Sequence, residues 1–222
     1  MSTSTETGVS PPARKRRGKR PKSTAGSIIE LVVIVGVALG LALLIQAFIV
    51  KPYRIPSGSM LPTLHKGQRV LVNRIGMDLG DPHVGQIVVF HPPRDAEQQV
   101  CGPVPHAVKD GGAACVAPEP LKSGTNFIKR IVAGPGDVIS IVEGHVIRNG
   151  KREKDSYIRP CRPGQQECQF PTQIKIPAGH WFMMGDNRGE SDDSRYWGPV
   201  PTGWIIGAAF ATYWPPDRIG IL

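Results

Sequence analysis

At 222 residues with 26 Gly and 22 Pro, the chain has room for a short appended segment and one turn-dense domain of ordinary size, which excludes a second large domain. Its net charge of +9 suggests nucleic acid at first sight, but residues 1–24 hold seven of the 27 Lys and Arg and a single acid, Glu6. That tail carries +6 and leaves only +3 for the rest, so no nucleic-acid partner is expected.

Residues 1–24 contain almost nothing that could be buried, and conformational entropy is expected to keep them disordered. The basic cluster Arg14–Lys22 could be a nucleic-acid arm or a nuclear signal. Directly before an apolar run it reads more simply as a topological determinant that stays in the cytoplasm. Leu31 to Val50 is 20 residues long, with Gln46 its only strongly polar member. At about 1.5 Å per helical residue it reaches about 30 Å, the thickness of the bilayer hydrocarbon. A cleavable secretory signal has a shorter apolar region. The reading is one transmembrane helix within residues 25–50, with residues 51–222 forming an extracytoplasmic domain.

Pro56-Ser57-Gly58-Ser59-Met60-Leu61-Pro62-Thr63-Leu64 follows. Small hydroxyl residues on a turn are often only a turn, but Ser59 is a candidate nucleophile. Nine residues separate it from Val50, so at about 3.3 Å per residue it lies within roughly 30 Å of the end of the apolar run.

Beyond this turn the pattern is β-rich. Strands are expected at Arg69–Asn73, Gln86–Phe90, Thr125–Val132, Gln173–Ile176 and Trp181–Met184, and from Ile205 to Tyr213. Val138–Val142 and His145–Arg148 form a hairpin about Glu143-Gly144, and Asn149-Gly150 is a second turn. Two segments lack periodicity: 91–124, read as a long surface excursion rather than core, and 155–170. Trp204–Trp214, at 11 residues, is too short for a second helical span. The fold class is mainly β: one N-terminal transmembrane helix, then an antiparallel β-sheet domain. Cys101, Cys115, Cys161 and Cys168 all follow the apolar run, on the side where disulfides persist. Sequence neighbourhood favours Cys101 with Cys115 and Cys161 with Cys168. A zinc site is the weaker rival, because there is no Cys-x-x-Cys pair.

A serine nucleophile needs a base. His65, His83, His91, His106, His145 and His180 all fall in turns or irregular chain, without the company of a catalytic base. In Asn126-Phe-Ile-Lys-Arg-Ile-Val132, strand alternation puts Phe127, Lys129 and Ile131 on one face and Arg130 on the other. Lys129 is either a desolvated amine with lowered pKa or a strand lysine reaching out to water, and pattern alone leaves both open. Gly185-Asp-Asn-Arg-Gly-Glu-Ser-Asp-Asp-Ser-Arg-Tyr-Trp-Gly198 could be a solvated loop, or a calcium loop that its three arginines argue against.

Together, the Ser59 turn, Phe127-Ile-Lys-Arg-Ile-Val-Ala-Gly-Pro-Gly-Asp137 and the Gly185 block occur in the order that resembles bacterial type I signal peptidases, membrane-bound Ser/Lys endopeptidases. The resemblance implies Ser59 as nucleophile, Lys129 as general base and Ser191 as the residue that orients the amine. It further implies Ser57 together with the Ser59 N–H as the oxyanion hole, and Gly185, Asp186 and an Asp193–Arg195 ion pair as support. No metal or cofactor is implied. The expected partners are exported preproteins bearing signal peptides, the lipid bilayer and the secretion translocase, with the protein in the plasma membrane. The departures from the family are the single span, where some members have two, and the cysteine-bearing excursion. A self-cleaving or single-partner Ser/Lys protease and an anchored, non-enzymatic binding domain are the alternative readings.

Overall fold

The computed structural model describes residues 24–74, 82–99, 101–102, 112–116 and 120–222. The basic tail before Thr24, His106 and much of the excursion lie outside these. The chain divides into two units, residues 1–42 and 43–222. Helix α1, Thr24–Phe48, is apolar all round from Leu31 onward, and its side chains from Ile28 to Leu43 are exposed. A helix without a polar face has no core-facing stripe to bury, and its length and composition suit a bilayer. It ends at Phe48, two residues before the boundary read from the sequence, and Val50 opens a strand instead.

Among the described residues the domain holds two antiparallel sheets. The larger has eight strands: β1 (Val50–Arg54), β2 (Arg69–Asn73), β3 (Ile87–Phe90), β4 (Phe127–Ala133), β9 (His180–Met184), β10 (Val200–Pro201), β11 (Ile205–Trp214) and β12 (Gly220–Ile221). Their order is β1-β2-β11-β3-β4-β9-β10, with β12 on β11. The smaller sheet runs β7-β6-β5-β8, from β5 (Val138–Val142), β6 (His145–Arg148), β7 (Lys151–Arg152) and β8 (Phe170–Lys175). Glu143-Gly144 and Asn149-Gly150 adopt φ of 53°/79° and 53°/78°, the paired left-handed residues that turn a two-residue hairpin with the strand twist.

Three apolar clusters fill the domain. Ile55, Met60, Leu64, Val70, Val72 and Ile87 pack beneath the Ser59 turn. Phe90, Ile131, Met183 and Trp197 fill the centre of the large sheet. Ile139, Ile141, Phe170 and Phe182 join the two sheets.

The excursion differs from its sequence reading. Ala96 belongs to the central cluster and Ala114 to the one between the sheets, while Ala113 bridges Thr172. Isolated alanines bury single methyl groups without a repeating pattern, so periodicity could not reveal them.

Candidate active site

The Ser59 turn connects β1 to β2. Its neck is closed by the Ile55 N–H donating to Gln68 O and the Gly67 N–H to Ile55 O, each at 2.8 Å. Met60 and Leu64, both fully buried, pin the turn onto the core, while Ser57 stays exposed and Ser59 half-exposed. The two hydroxyl oxygens lie 3.3 Å apart. Among the described residues, the Ser59 N–H has no hydrogen-bond acceptor.

Lys129 sits mid-strand in β4, opposite Val88 of β3, and is 4 % exposed. At that exposure the amine does not reach out to water, and the snorkelling alternative is excluded. Lys129 Nζ donates to Ser191 Oγ at 2.9 Å. Burial lowers its pKa to about 8, against the opposing fields of Asp193 and Asp192.

The Gly185–Gly198 block leaves the end of β9, which pairs directly with β4. Asp186 and Asp193 are paired with arginines, while Asp192 accepts from Gln99 and Glu190 from Asn187. Asp193 is the N-cap of the short helix α2, Ser194–Trp197, accepting from the Arg195 N–H. It also accepts from Arg195 Nε at 2.7 Å, Arg195 Nη2 at 2.9 Å and the Gly185 N–H at 3.1 Å. Burial alone would raise the Asp193 carboxyl, but the Arg195 charge and hydrogen bonds outweigh it and its pKa falls below the ordinary value. Arg195 Nη2 also donates to Ser191 O at 3.0 Å, so the ion pair fixes the backbone that presents the Ser191 hydroxyl to Lys129. At Gly185, any Cβ would collide with Ser191 Oγ and with Ser59 O. A glycine is required here by the close approach of the Ser59 backbone and the Ser191 side chain.

Asp186 has a larger part than support of the loop alone. It accepts from Arg130 Nε at 2.9 Å and Nη2 at 2.7 Å, and from Thr63 Oγ1 at 2.5 Å. Arg130 further stacks on Tyr157, 4.1 Å from the ring centroid. The Ser59 turn, β4 and polar loop thus meet at one buried carboxylate. Asn187 adds a second tie, its N–H donating to Ser59 O at 3.0 Å and its Nδ2 to Gly58 O at 3.1 Å. Thr63 and Asn187 were within the motifs, but nothing local marks their partners, which lie more than 120 residues away in sequence.

Ser57, Ser59 and Lys129 line one cleft of about 400 Å³. Pro56, Phe127 and Ile128 give it an apolar wall, and Glu97, Glu190 and Asp192 an acidic rim. Glu97 comes from the excursion, a contribution the sequence did not show. Among the described residues, no histidine lines the cleft. Disulfides join Cys101 to Cys115 and Cys161 to Cys168, the pairs favoured by neighbourhood, and both brace the polar loop. The Cys115 N–H donates to Arg195 O at 3.0 Å, and Cys161 packs by Gly144 and Arg188, where a Cβ on Gly144 would not fit.

A family model described as "Signal peptidase, peptidase S26" matches residues 28–214. A "Probable signal peptidase I-1" of Synechocystis sp. is 36 % identical over 88 % of this chain and 87 % of its own length. A "Signal peptidase I" of Leptolyngbya laminosa is 33 % identical over 97 % and 93 %. A "Probable thylakoidal processing peptidase 2, chloroplastic" of Arabidopsis thaliana is 32 % identical over 82 % of this chain and 43 % of its own.

Proposed function

Because the chain belongs to the signal peptidase family, peptidase S26, we propose that it removes signal peptides from exported preproteins by a Ser59/Lys129 acyl-enzyme reaction. The observation that carries this is the buried Lys129 amine, aimed by Ser191 and sharing one cleft with the Ser59 hydroxyl.

Neutral Lys129 takes the Ser59 proton as Oγ attacks the scissile carbonyl. The resulting oxyanion is held by the Ser59 N–H and the Ser57 hydroxyl, electrostatic help whose loss typically costs about 100-fold to 1,000-fold per donor. The protonated lysine then gives its proton to the leaving amine. Water, deprotonated by the same amine, releases the acyl-enzyme. Ser191 keeps the amine in line, and the Asp193–Arg195 pair keeps Ser191 in place. The apolar wall of the cleft suits the small residues that precede a signal-peptide cleavage site.

The proposal extends to topology: a basic cytoplasmic tail over residues 1–24, an anchor over residues 25–50 and a catalytic domain on the extracytoplasmic side of the plasma membrane. There the domain receives preproteins from the secretion translocase. Mass-spectrometric mapping of a purified preprotein treated with wild type and with Ser59→Ala tests the reaction. One cut after a small residue, absent with Ser59→Ala, is the expected result; cleavage by Ser59→Ala overturns it.

A further inference from the structure

Beside the catalytic cleft lies a second, polar pocket of about 210 Å³, lined by Arg159, Arg162, Gln165, Asn187 and Glu190. Glu190 belongs to both depressions, and Asn187, which holds the backbone of Ser59 and Gly58, forms the pocket's near wall. The two are therefore successive stations along one path past the nucleophile.

The pocket is held in shape from several sides. The Arg159 N–H donates to Asp186 O at 2.8 Å and the Arg188 N–H to Arg159 O at 3.0 Å, a short parallel bridge to the polar loop. Arg162 and Gln165 lie on the loop closed by Cys161–Cys168, and Gln165 Nε2 ties that loop to Gly189 O at 2.8 Å. Neither guanidinium makes a hydrogen bond or ion pair with any described residue. The one carboxylate in the wall, Glu190, is taken by Asn187 Nδ2 at 3.0 Å. Two uncommitted guanidinium groups against one occupied carboxylate leave the pocket net positive.

Building on the peptidase reading, we propose that this pocket binds an acidic side chain among the first residues of the mature protein. The chemistry fixes the side of the scissile bond. A signal-peptide cleavage site is marked by small residues before the cut, and these match the apolar wall of Pro56, Phe127 and Ile128. The neighbouring charged pocket is therefore assigned to the chain that follows the cut. Guanidinium is suited to this task because its planar fork takes a carboxylate in two hydrogen bonds.

The test is a peptide series spanning one cleavage site, with Asp, Ala or Lys at each of the first four positions after the scissile bond. At one of these positions Asp should raise kcat/KM about 3- to 10-fold over Ala and Lys should lower it, the size expected of two partly solvated ion pairs. The double variant Arg159→Gln/Arg162→Gln should cleave the Ala peptide at the wild-type rate and lose the discrimination, and Arg162→Glu should favour Lys. Equal rates for all peptides with wild type, or discrimination that survives the double variant, would overturn the pocket assignment. A binding arm separates this from the reaction itself: product peptides beginning with the preferred acidic sequence are titrated into Ser59→Ala by calorimetry. If wild type cleaves no peptide, the peptidase reading falls. The pocket then stands if acidic peptides bind more tightly than neutral ones and lose that advantage with both arginines replaced, and falls if they do not.

Discussion

Thr63 and Asp186 are 123 positions apart in the chain, and the hydroxyl of one donates to the buried carboxylate of the other at 2.5 Å. This bond ties the turn that carries Ser59 to the loop that carries Ser191, through a carboxylate already paired with Arg130 on the strand that carries Lys129.

Thr63→Val keeps the shape and removes the donor. A hydrogen bond to a buried charged group is worth about 1.5–3 kcal/mol, and its loss should appear as lower thermal stability and lower kcat with KM little changed. Asp186→Asn should be more damaging, because Arg130 loses its partner at a site only 12 % exposed, a cost of about 3–5 kcal/mol. Denaturant unfolding of both variants checks the order, and a Thr63→Val enzyme with wild-type kcat would show that the tie does not position Ser59.

Gly185→Ala adds one methyl group that must displace either the Ser191 hydroxyl or the Ser59 carbonyl. Activity should fall by at least about 100-fold, the lower range for removing a catalytic base from its working position. Circular dichroism should show the β fold retained. Activity within about threefold of wild type would mean that the Ser59 backbone and the Ser191 side chain separate freely.

With its pKa at about 8, Lys129 is mostly protonated at pH 7, and kcat/KM should rise with pH through an apparent pKa near that value. Asp192 raises the lysine's pKa, so Asp192→Asn should move the profile to lower pH, more at low ionic strength than at high. A shift to higher pH would contradict the electrostatic assignment. Lys129→Arg cannot deprotonate and should be inactive. The sign for stability follows from the same displacement. The folded pKa lies below the ordinary 10.5, so burial of the amine costs stability below pH 8, and that cost fades as pH rises from about 8 to about 10.5.

The two disulfides span 14 and 7 residues, and loop-closure entropy assigns them roughly 3 and 2 kcal/mol. At about 2–4 °C per kcal/mol for a domain of this size, Cys101→Ser/Cys115→Ser should therefore lower Tm by about 6–12 °C and Cys161→Ser/Cys168→Ser by about 4–8 °C. Calorimetric scans of wild type and the two variants decide it: equal Tm values for the two variants would show that loop length does not set the contribution, and wild-type Tm values for both would show that neither disulfide stabilises the fold.

Local pattern was enough to find the hairpin strands β5 and β6 at their observed bounds, because alternating residues and two left-handed turns are short-range signals. It also found β2 and most of β3, β4, β9 and β11. β1 was hidden because Val50 continues the apolar run of α1, and hydrophobicity alone does not mark where a helix stops. β7, β10 and β12 have two residues each, too few for any period. The three site motifs were legible through resemblance, and the Asp193–Arg195 pair lies within one of them. The Thr63–Asp186–Arg130 junction and the entry of Glu97 into the cleft arise only from pairings between distant strands, and a linear pattern carries no record of these.

Strand β11 lies between β2 and β3, and this placement makes it the link between the two parts of the candidate site. The turn bearing Ser59 leads into β2, while Lys129 reaches the same cleft on β4 by way of β3, so residues 205–214 form the seam between the two halves of the site. Residues outside the cleft thus set the spacing of Ser59 and Lys129: a slip of β11 in its register would carry β2 past β3 and change that spacing with every cleft residue in place.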